Sequence, residues 1–288
     1  MLAIYKRETK AYFTGMVGYV VVAVMLAFMG LYFSANCLIY GSPDFGGTVL
    51  YSTTMIMMFV LPALTMRSFA DERRNKTDQL LLTSPVGIPG IVLGKFLAQL
   101  TVFAIPCAVA AIMPLILTAF GDVLLVGAYS SLFAYILLGG ACIAVGTFLS
   151  ALTENQILAY LATFGVLLVS YLMDGIKTLF TSGNTMAFVV FCVILAVAAV
   201  LIGLACKNVT IGSAVFCVGA VVLILLFKLR PAWLLTGFNS VLGALALFAP
   251  FNDFVGGMFS IAGLVYYLTV IGLFLFLTGQ ALERRRWN

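Results

Sequence analysis

Histidine is absent from this chain of 288 residues, and Asp, Glu, Lys and Arg together make up only 9% of it. Without histidine the chain cannot form a histidine-based catalytic triad, a zinc–histidine site or a histidine-ligated haem. The 6 cysteines form no CxxC pair and lie in or beside apolar runs, as small buried apolar residues do. We therefore expect no catalytic site, no metal and no cofactor.

The scarcity of charge is matched by an excess of apolar residues, which make up 64% of the chain and give a mean hydropathy of +1.18. Soluble domains are about half apolar and about a quarter charged. A soluble globule of this size would leave many apolar side chains in water, so the composition excludes that class. It predicts an all-α polytopic integral membrane protein embedded in a lipid bilayer. Membrane topology explains the net charge of +5 better than nucleic acid binding does, so no nucleic acid partner is expected.

A membrane-spanning helix needs about 20 consecutive apolar residues. Eight stretches reach or approach that length, and a ninth run, Trp233–Pro250, is broken by Gly237, Asn239 and Gly243. The eight predicted spans are Met16–Ile39, Val49–Phe69, Phe96–Phe120, Val123–Leu152, Ile157–Met173, Met186–Cys206, Val209–Phe227 and Phe259–Gly279. No separate soluble domain is evident, so residues 1–288 are predicted to form a single transmembrane domain.

The distribution of Lys and Arg predicts the orientation, because cytoplasmic loops carry an excess of basic residues. If both termini are cytoplasmic and the ninth run does not cross, only Lys177, Lys228 and Arg230 of the 15 basic residues lie outside. The others lie on the cytoplasmic side: Lys6, Arg7, Lys10, Arg67, Arg73, Arg74, Lys76, Lys95, Lys207, Arg284, Arg285 and Arg286. Trp233–Pro250 is therefore predicted to be a re-entrant or interfacial element on the outer side.

The first residues, Met1–Thr14, form an amphipathic segment before the first span. Its apolar residues are predicted to face lipid, while its basic residues face water and anionic headgroups. The apolar set is Leu2, Ile4, Tyr5, Tyr12 and Phe13, and the basic set is Lys6, Arg7 and Lys10. The segment serves either as a topology anchor or as an interfacial helix that also contacts a partner.

The predicted spans contain no charged residue away from their ends, which argues against proton relays and voltage sensors. A P-loop is also missing, since Gly90–Phe96 has a shortened spacing and Phe96 in place of the hydroxyl residue. The chain is thus not expected to be an enzyme or to hydrolyse ATP. If it moves a substrate uphill, the energy comes from another protein.

The one long polar segment, residues 67–95, is predicted to be a cytoplasmic loop. Residues 71–74 extend span two, Thr77 caps a short helix with Asp78 in its first turn, and Pro85 ends that helix. Leu80, Leu81 and Leu82 need a surface to bury against. They either pack on the ends of the spans or bind a cytoplasmic partner.

A second cytoplasmic turn precedes span five. Thr153 and Gln156 have the spacing of a capping box, with Glu154 and Asn155 in the first helical turn. The turn either simply starts the span or provides a second point of contact on the same face as the polar loop.

Three blocks of sequence, in addition to the N-terminal segment and the two polar turns, indicate a relationship to a known family. They are Asp71–Thr77 with Leu80–Val86 and Ile91–Ala98, then Leu152–Gln156, then Phe251–Phe254 with Tyr266–Leu268, Phe274–Thr278 and Leu282–Trp287. Together with the N-terminal segment they span most of Met1–Met173 and Phe251–Trp287. The chain thereby resembles the permease subunits of ABC-2-type ABC transporters. It is similar in particular to the permeases of gliding motility and of nitrous-oxide-reductase maturation.

Such permeases are typically six-span subunits that dimerise and bind two separate ATPase subunits. The resemblance implies that Met1–Thr14 is the cytoplasmic interfacial helix and that the coupling helix includes Thr77, Asp78, Leu80, Leu81, Leu82, Thr83 and Ser84. It also implies a second cytoplasmic contact at Thr153, Glu154, Asn155 and Gln156. The chain departs from the six-span pattern, because residues 174–250 insert a two-span hairpin and the outer element before the last span.

The resemblance implies a function: a permease subunit that forms the translocation path and exports its substrate from the cell across the plasma (inner) membrane. Its partners would be a separate ABC ATPase subunit and a second permease subunit, identical or different. Two alternatives stay open, a membrane scaffold or assembly factor without transport and an uncoupled channel.

Overall fold

A computed structural model of the chain describes residues 1–76, 87–120, 123–180 and 243–286. Within these ranges the secondary structure is helical and contains no strand. The α-helices are α1 (Leu2–Thr14), α2 (Val17–Tyr32), α3 (Tyr51–Thr65), α4 (Ala70–Arg74), α5 (Ile88–Ala110), α6 (Met113–Leu117), α7 (Leu125–Leu152), α8 (Gln156–Phe180), α9 (Ala249–Val255) and α10 (Ile261–Arg286). Two π-helical segments, Phe33–Ile39 and Gly46–Leu50, extend α2 and precede α3.

Six helical stretches of the described residues are long and apolar enough to cross a membrane. They are Val17–Ile39, Gly46–Arg74, Ile88–Leu117, Leu125–Leu152, Gln156–Gly175 and Ile261–Arg284. The expectation of an all-α polytopic membrane protein is confirmed, and each of the six overlaps a predicted span. The predicted spans Met186–Cys206 and Val209–Phe227 lie outside the described residues, so the count of eight stays a prediction.

The third span begins earlier than the sequence predicts. The prediction starts it at Phe96, just after the charge of Lys95, whereas α5 begins at Ile88 and contains Lys95. Gly87 has an extended backbone (ψ 148°) before the helix, and Pro89 lies in its first turn, where a missing backbone N–H costs nothing. The predicted boundary was therefore wrong, because Lys95 is accommodated inside a helix.

Helix α7 lies at the centre of the bundle and packs against α3, α5, α9 and α10. Small residues allow these close approaches. A Cβ atom added to Gly146 would overlap Thr65 Oγ1 on α3 and lie 2.8 Å from Thr65 Cβ, and one added to Gly139 would overlap the Phe103 ring on α5. Small residues at helix contacts are common in membranes, where van der Waals packing is a main source of helix association.

Helix α1 is confirmed as a helix, but its apolar residues do not all face lipid. Ile4 and Tyr12 are buried, α1 packs along α5, and the Tyr5 hydroxyl lies 3.0 Å from Thr101 Oγ1 of α5. The assignment of Ile4 and Tyr12 to lipid was wrong. Leu2 remains exposed. The protein itself provides the apolar surface that the sequence pattern attributes to the bilayer.

The chain divides into two units, Met1–Val169 with Leu247–Asn288 and Ser170–Ala246. In the second unit, Ser170 Oγ donates a hydrogen bond of 2.7 Å to the Leu245 carbonyl oxygen. Most of the predicted insertion 174–250 lies outside the described residues. Of the run Trp233–Pro250, the described part ends with Pro250 in the first turn of α9. The single-domain assignment for residues 1–288, the inserted hairpin and the outer re-entrant element therefore stay predictions.

The contact at Gly146 yields a stability prediction. We expect Gly146→Ala to lower the free energy of unfolding by about 1–3 kcal/mol, because the added methyl group meets the buried Thr65 side chain. Gly165→Ala is the matched control. A Cβ atom at Gly165 meets no atom of the described residues within 4 Å. This control should leave stability unchanged or raise it by up to about 1 kcal/mol. Unfolding of both variants in detergent micelles measures the difference, and equal stability would contradict the packing.

Candidate functional site

Four charged side chains form one ion-pair network where α1, α4 and α5 meet. Lys95 Nζ lies 2.9 Å from Glu72 Oε1 and 3.3 Å from Glu8 Oε1. Arg7 Nη2 lies 2.7 Å from Glu8 Oε1 and 3.2 Å from Glu72 Oε1. The network contains two cations and two carboxylates, so its charges balance. The hydrogen bond between Arg7 and Glu8, together with the negative charges of Glu8 and Glu72, raises the pKa of Arg7.

Lys95 is the most buried member of this network, with only 2% of its side chain exposed. An ammonium group has three protons to donate. Besides the two glutamates, Lys95 Nζ donates a hydrogen bond of 2.8 Å to the Ser68 carbonyl oxygen. It also lies 5.1 Å from the centre of the Phe69 ring, within the range of a cation–π contact. These partners replace the hydrogen bonds to water that the Lys95 ammonium group lost on folding.

Ser150, near the C-terminal end of α7, completes the start of α4. Its Oγ accepts hydrogen bonds from the backbone N–H groups of Phe69 (3.1 Å) and Ala70 (3.2 Å), and it donates one to the Met66 carbonyl oxygen (3.1 Å). The first N–H groups of a helix have no partner within that helix and need a cap. Here the cap is a side chain from a different helix, which fixes α4 against α7.

The start of α8 also binds α4. Gln156 Nε2 donates a hydrogen bond of 2.7 Å to Asp71 Oδ1. The cap of α8 is Asn155, whose Oδ1 accepts from the Ile157 N–H at 2.9 Å and whose carbonyl oxygen accepts from the Ala159 N–H at 3.0 Å. The predicted capping box between Thr153 and Gln156 was therefore wrong. Its physical reason is that the Gln156 amide reaches Asp71 instead of turning back on its own helix.

A second set of polar groups, a chain of hydrogen bonds through Tyr12, Gln99 and Thr147, crosses the bundle. We call it the neutral polar series. The Tyr12 hydroxyl donates to the Leu64 carbonyl oxygen (3.3 Å) and accepts from Gln99 Nε2 (3.1 Å), and Thr147 Oγ1 donates to Gln99 Oε1 (3.4 Å). Burial raises the pKa of the Tyr12 phenol, so the hydroxyl stays a neutral donor. The series joins α1, α3, α5 and α7, since it takes one group from each.

The structure brings together some of the predicted site residues. Gln156 contacts α4, Asn155 caps α8, Thr153 Oγ1 donates to the Asn155 carbonyl oxygen at 3.5 Å, and Glu154 is exposed. The predicted coupling-helix residues Thr77, Asp78, Leu80, Leu81, Leu82, Thr83 and Ser84 lie outside the described residues. Helix α4, which confirms the predicted helical extension at residues 71–74, ends just before them.

Sequence reasoning missed three partners of α4 and of the turn before it, namely Arg7, Lys95 and Ser150. The sequence prediction uses Lys95 only as a sign of membrane topology at the end of a span. One signal was available: Lys95 follows Gly90–Gly94 within a helix-forming apolar run, where a charge requires a partner. Ser150 gave no signal, because a single serine in an apolar helix usually bonds its own backbone.

The fold defines a multi-pass helical membrane protein. A family model described as ABC-2 family transporter protein matches residues 5–185, which is more than half of the chain. The chain belongs to this family, whose members are membrane permeases of ABC transporters. No curated protein and no solved structure matches the chain.

The ion-pair network yields a second stability prediction. We expect Lys95→Gln to lower the free energy of unfolding by about 3–5 kcal/mol, because it removes the most buried cation of the network and leaves Glu8 and Glu72 to share Arg7. The double variant Lys95→Gln/Glu72→Gln removes one of the two carboxylates as well, so it should recover part of the lost free energy of unfolding. Lys10→Gln, at an exposed lysine of α1, is the control and should change stability by less than about 0.5 kcal/mol. Thermal unfolding in detergent tests this, and a Lys95→Gln variant as stable as the wild type would contradict it.

Proposed function

We propose that this chain is the permease subunit of an ABC exporter and that a separate ATPase subunit drives it through the segment that follows α4. Membership of the ABC-2 family supports this proposal, because permeases of this family typically work with an ATPase subunit. The observation that carries it is the position of α4. This helix leads directly into the predicted coupling helix Thr77–Ser84, and four other helices bind it or the turn before it.

The contacts of α4 explain how a force on the loop would reach the bundle. Glu72 binds Lys95 of α5 and Arg7 of α1, Asp71 binds Gln156 of α8, and Ser150 of α7 caps the first turn. A displacement of α4 must therefore break these bonds or move the helices that make them. Since breaking a buried ion pair costs several kcal/mol, moving the helices is the easier response.

The energetic requirement of the proposed mechanism is differential binding. ATP binding closes the two ATPase subunits, and the coupling helices that they hold move with them. The permease changes state only if the ATP-bound and ATP-free forms of the ATPase engage those helices differently. In this mechanism the spans provide a path and two alternative packings, while the partner provides the energy.

Finer features of the proposal follow from the resemblance and the charge pattern. We propose a dimer of permease subunits, identical or different, in the plasma (inner) membrane, with both termini in the cytoplasm. Within the family we place the chain near the gliding-motility and nitrous-oxide-reductase maturation permeases.

The sparse charge of the predicted spans favours a lipid, a peptide, a hydrophobic drug or an exported polymer over a small ion as substrate. A non-transporting scaffold would assemble normally without a need for ATP hydrolysis, and an uncoupled channel would conduct when reconstituted alone.

The docking assignment makes a binding prediction. Leu80→Arg or Leu81→Arg should abolish co-purification of the ATPase subunit, because a charged side chain cannot bury in an apolar docking groove. Leu80→Met conserves size and apolarity and serves as the control, which should keep wild-type binding. Full binding by both arginine variants would disprove the assignment of the coupling helix.

The role of α4 makes a separate prediction about transmission. In the wild-type complex, ATP binding should change the hydrogen–deuterium exchange of α5 (Ile88–Ala110) as well as that of residues 67–87. Glu72→Gln should keep the ATPase subunit bound but remove the change in α5, because the ion pair between α4 and Lys95 is lost. Glu283→Gln, at an exposed glutamate near the end of α10, is the control and should behave as the wild type. A normal response in Glu72→Gln would exclude this ion pair from coupling.

A further inference from the structure

A cleft of about 310 Å³ opens beside the ion-pair network. One wall is the corner between α1 and α2, with Tyr12 and Gly15, and the other is the segment from α3 to α4, with Arg67, Ser68 and Asp71. Val17, the first residue of the first span, also lines it, so the cleft lies at the end of the spans. Small-molecule sites begin at about 300 Å³, which makes this cleft large enough for a lipid headgroup but too small for a whole lipid.

Arg67 is the cation of this cleft that forms no ion pair with a carboxylate of the described residues. It is exposed, and it takes part in none of the ion pairs found among the described residues. Asp71, four residues further on, accepts hydrogen bonds from the side-chain amides of Gln156 and Asn75 rather than from Arg67. A guanidinium group binds phosphate oxygens through two parallel hydrogen bonds, so Arg67 is suited to a phosphate.

Ser68 is a second indication of a ligand. It lines the cleft and is only 3% exposed, and its Oγ has no hydrogen-bond partner among the described residues. A buried hydroxyl without a partner costs free energy, which a ligand oxygen would recover. The nearby backbone donors of Phe69 and Ala70 are not available, because Ser150 already accepts from them.

The charges of the lining distinguish between headgroups. The lining contains the cations Arg67 and Lys95 and the carboxylates of Glu8, Asp71 and Glu72. Glu8 and Glu72 are already paired with Lys95 and Arg7, so the charges of the lining outside that network are those of Arg67 and Asp71. A headgroup that carries both a phosphate and a primary ammonium complements both groups.

The surroundings of the cleft favour a lipid over a soluble phosphate compound. Met16 directly precedes α2 and Tyr19 and Val20 lie in its first turn, close in sequence to Val17 of the cleft, and these three residues are 74%, 60% and 58% exposed. They belong to the start of the first span or directly precede it. Acyl chains attached to a headgroup in the cleft would therefore lie along this apolar surface, which would otherwise be covered by other lipids.

We propose that this cleft binds the headgroup of a zwitterionic aminophospholipid. The phosphate binds Arg67 and Ser68, and the ammonium group faces Asp71. The bound lipid joins the α1–α2 corner to the segment that enters α4, without occupying the ATPase docking segment. This inference goes beyond transport and holds whether or not the chain is coupled to an ATPase.

Native mass spectrometry of the purified full chain tests the proposal, with phosphatidylethanolamine as the probe. Arg67→Gln should lower lipid occupancy about tenfold, which corresponds to the loss of one charged hydrogen-bonded contact. Arg74→Gln, at an exposed arginine of α4 that does not line the cleft, is the matched control and should retain the lipid. Equal retention by the Arg67→Gln variant would overturn the site.

Three further comparisons test the chemistry and the source of the ligand. Phosphatidylglycerol, which lacks the amine, and phosphatidylcholine, whose ammonium cannot donate hydrogen bonds, should each bind more weakly than phosphatidylethanolamine. Equal binding of all three lipids would overturn the assignment of the amine. Soluble phosphoethanolamine should not raise the unfolding temperature as the lipid does, and an equal rise would overturn the lipid as the source. Ser68→Ala, which is confirmed as folded by circular dichroism, should also lower occupancy, and an unchanged value would remove Ser68 from the site.

Discussion

The burial of the Lys95 ammonium against two glutamates is the interaction on which the rest of this site depends. Removing an ammonium group from water costs several kcal/mol, and only well-placed partners recover that cost. Lys95 has them in Glu72, Glu8 and the Ser68 carbonyl oxygen. Because these partners belong to α4, to α1 and to the turn before α4, the requirement to neutralise one charge fixes the relative positions of three helices.

This arrangement differs from the usual view of a charged loop that extends freely from a membrane bundle. The carboxylates of Asp71 and Glu72 on α4 bind other helices of the same chain. A partner that binds beyond α4 thus acts on a helix whose contacts already extend to α1, α5, α7 and α8. The neutral polar series through Tyr12, Gln99 and Thr147 continues these connections into the apolar interior.

The sequence was sufficient to predict the class of protein and the approximate positions of six spans, because long apolar runs leave few alternatives. The family could be inferred from the block around Asp71–Thr77 and Leu80–Val86, and the family match to residues 5–185 confirms it. The partners of α4 could not be predicted. Ser150 lies 81 positions after Phe69. The periodicity of residues within one helix gives no information about a hydrogen bond between two helices. Likewise, the apolar face of α1 showed that Ile4 and Tyr12 need burial, but not whether lipid or protein covers them.

The cap that Ser150 provides also constrains the order in which the protein is made. Helix α4 receives its N-terminal hydrogen-bond acceptor from a residue that the ribosome adds 81 positions after Phe69. Until α7 has been synthesised and inserted, the amide groups at the start of α4 must be hydrated or held by the insertion machinery. The nascent chain therefore completes this junction late, after the third candidate span has already entered the bilayer.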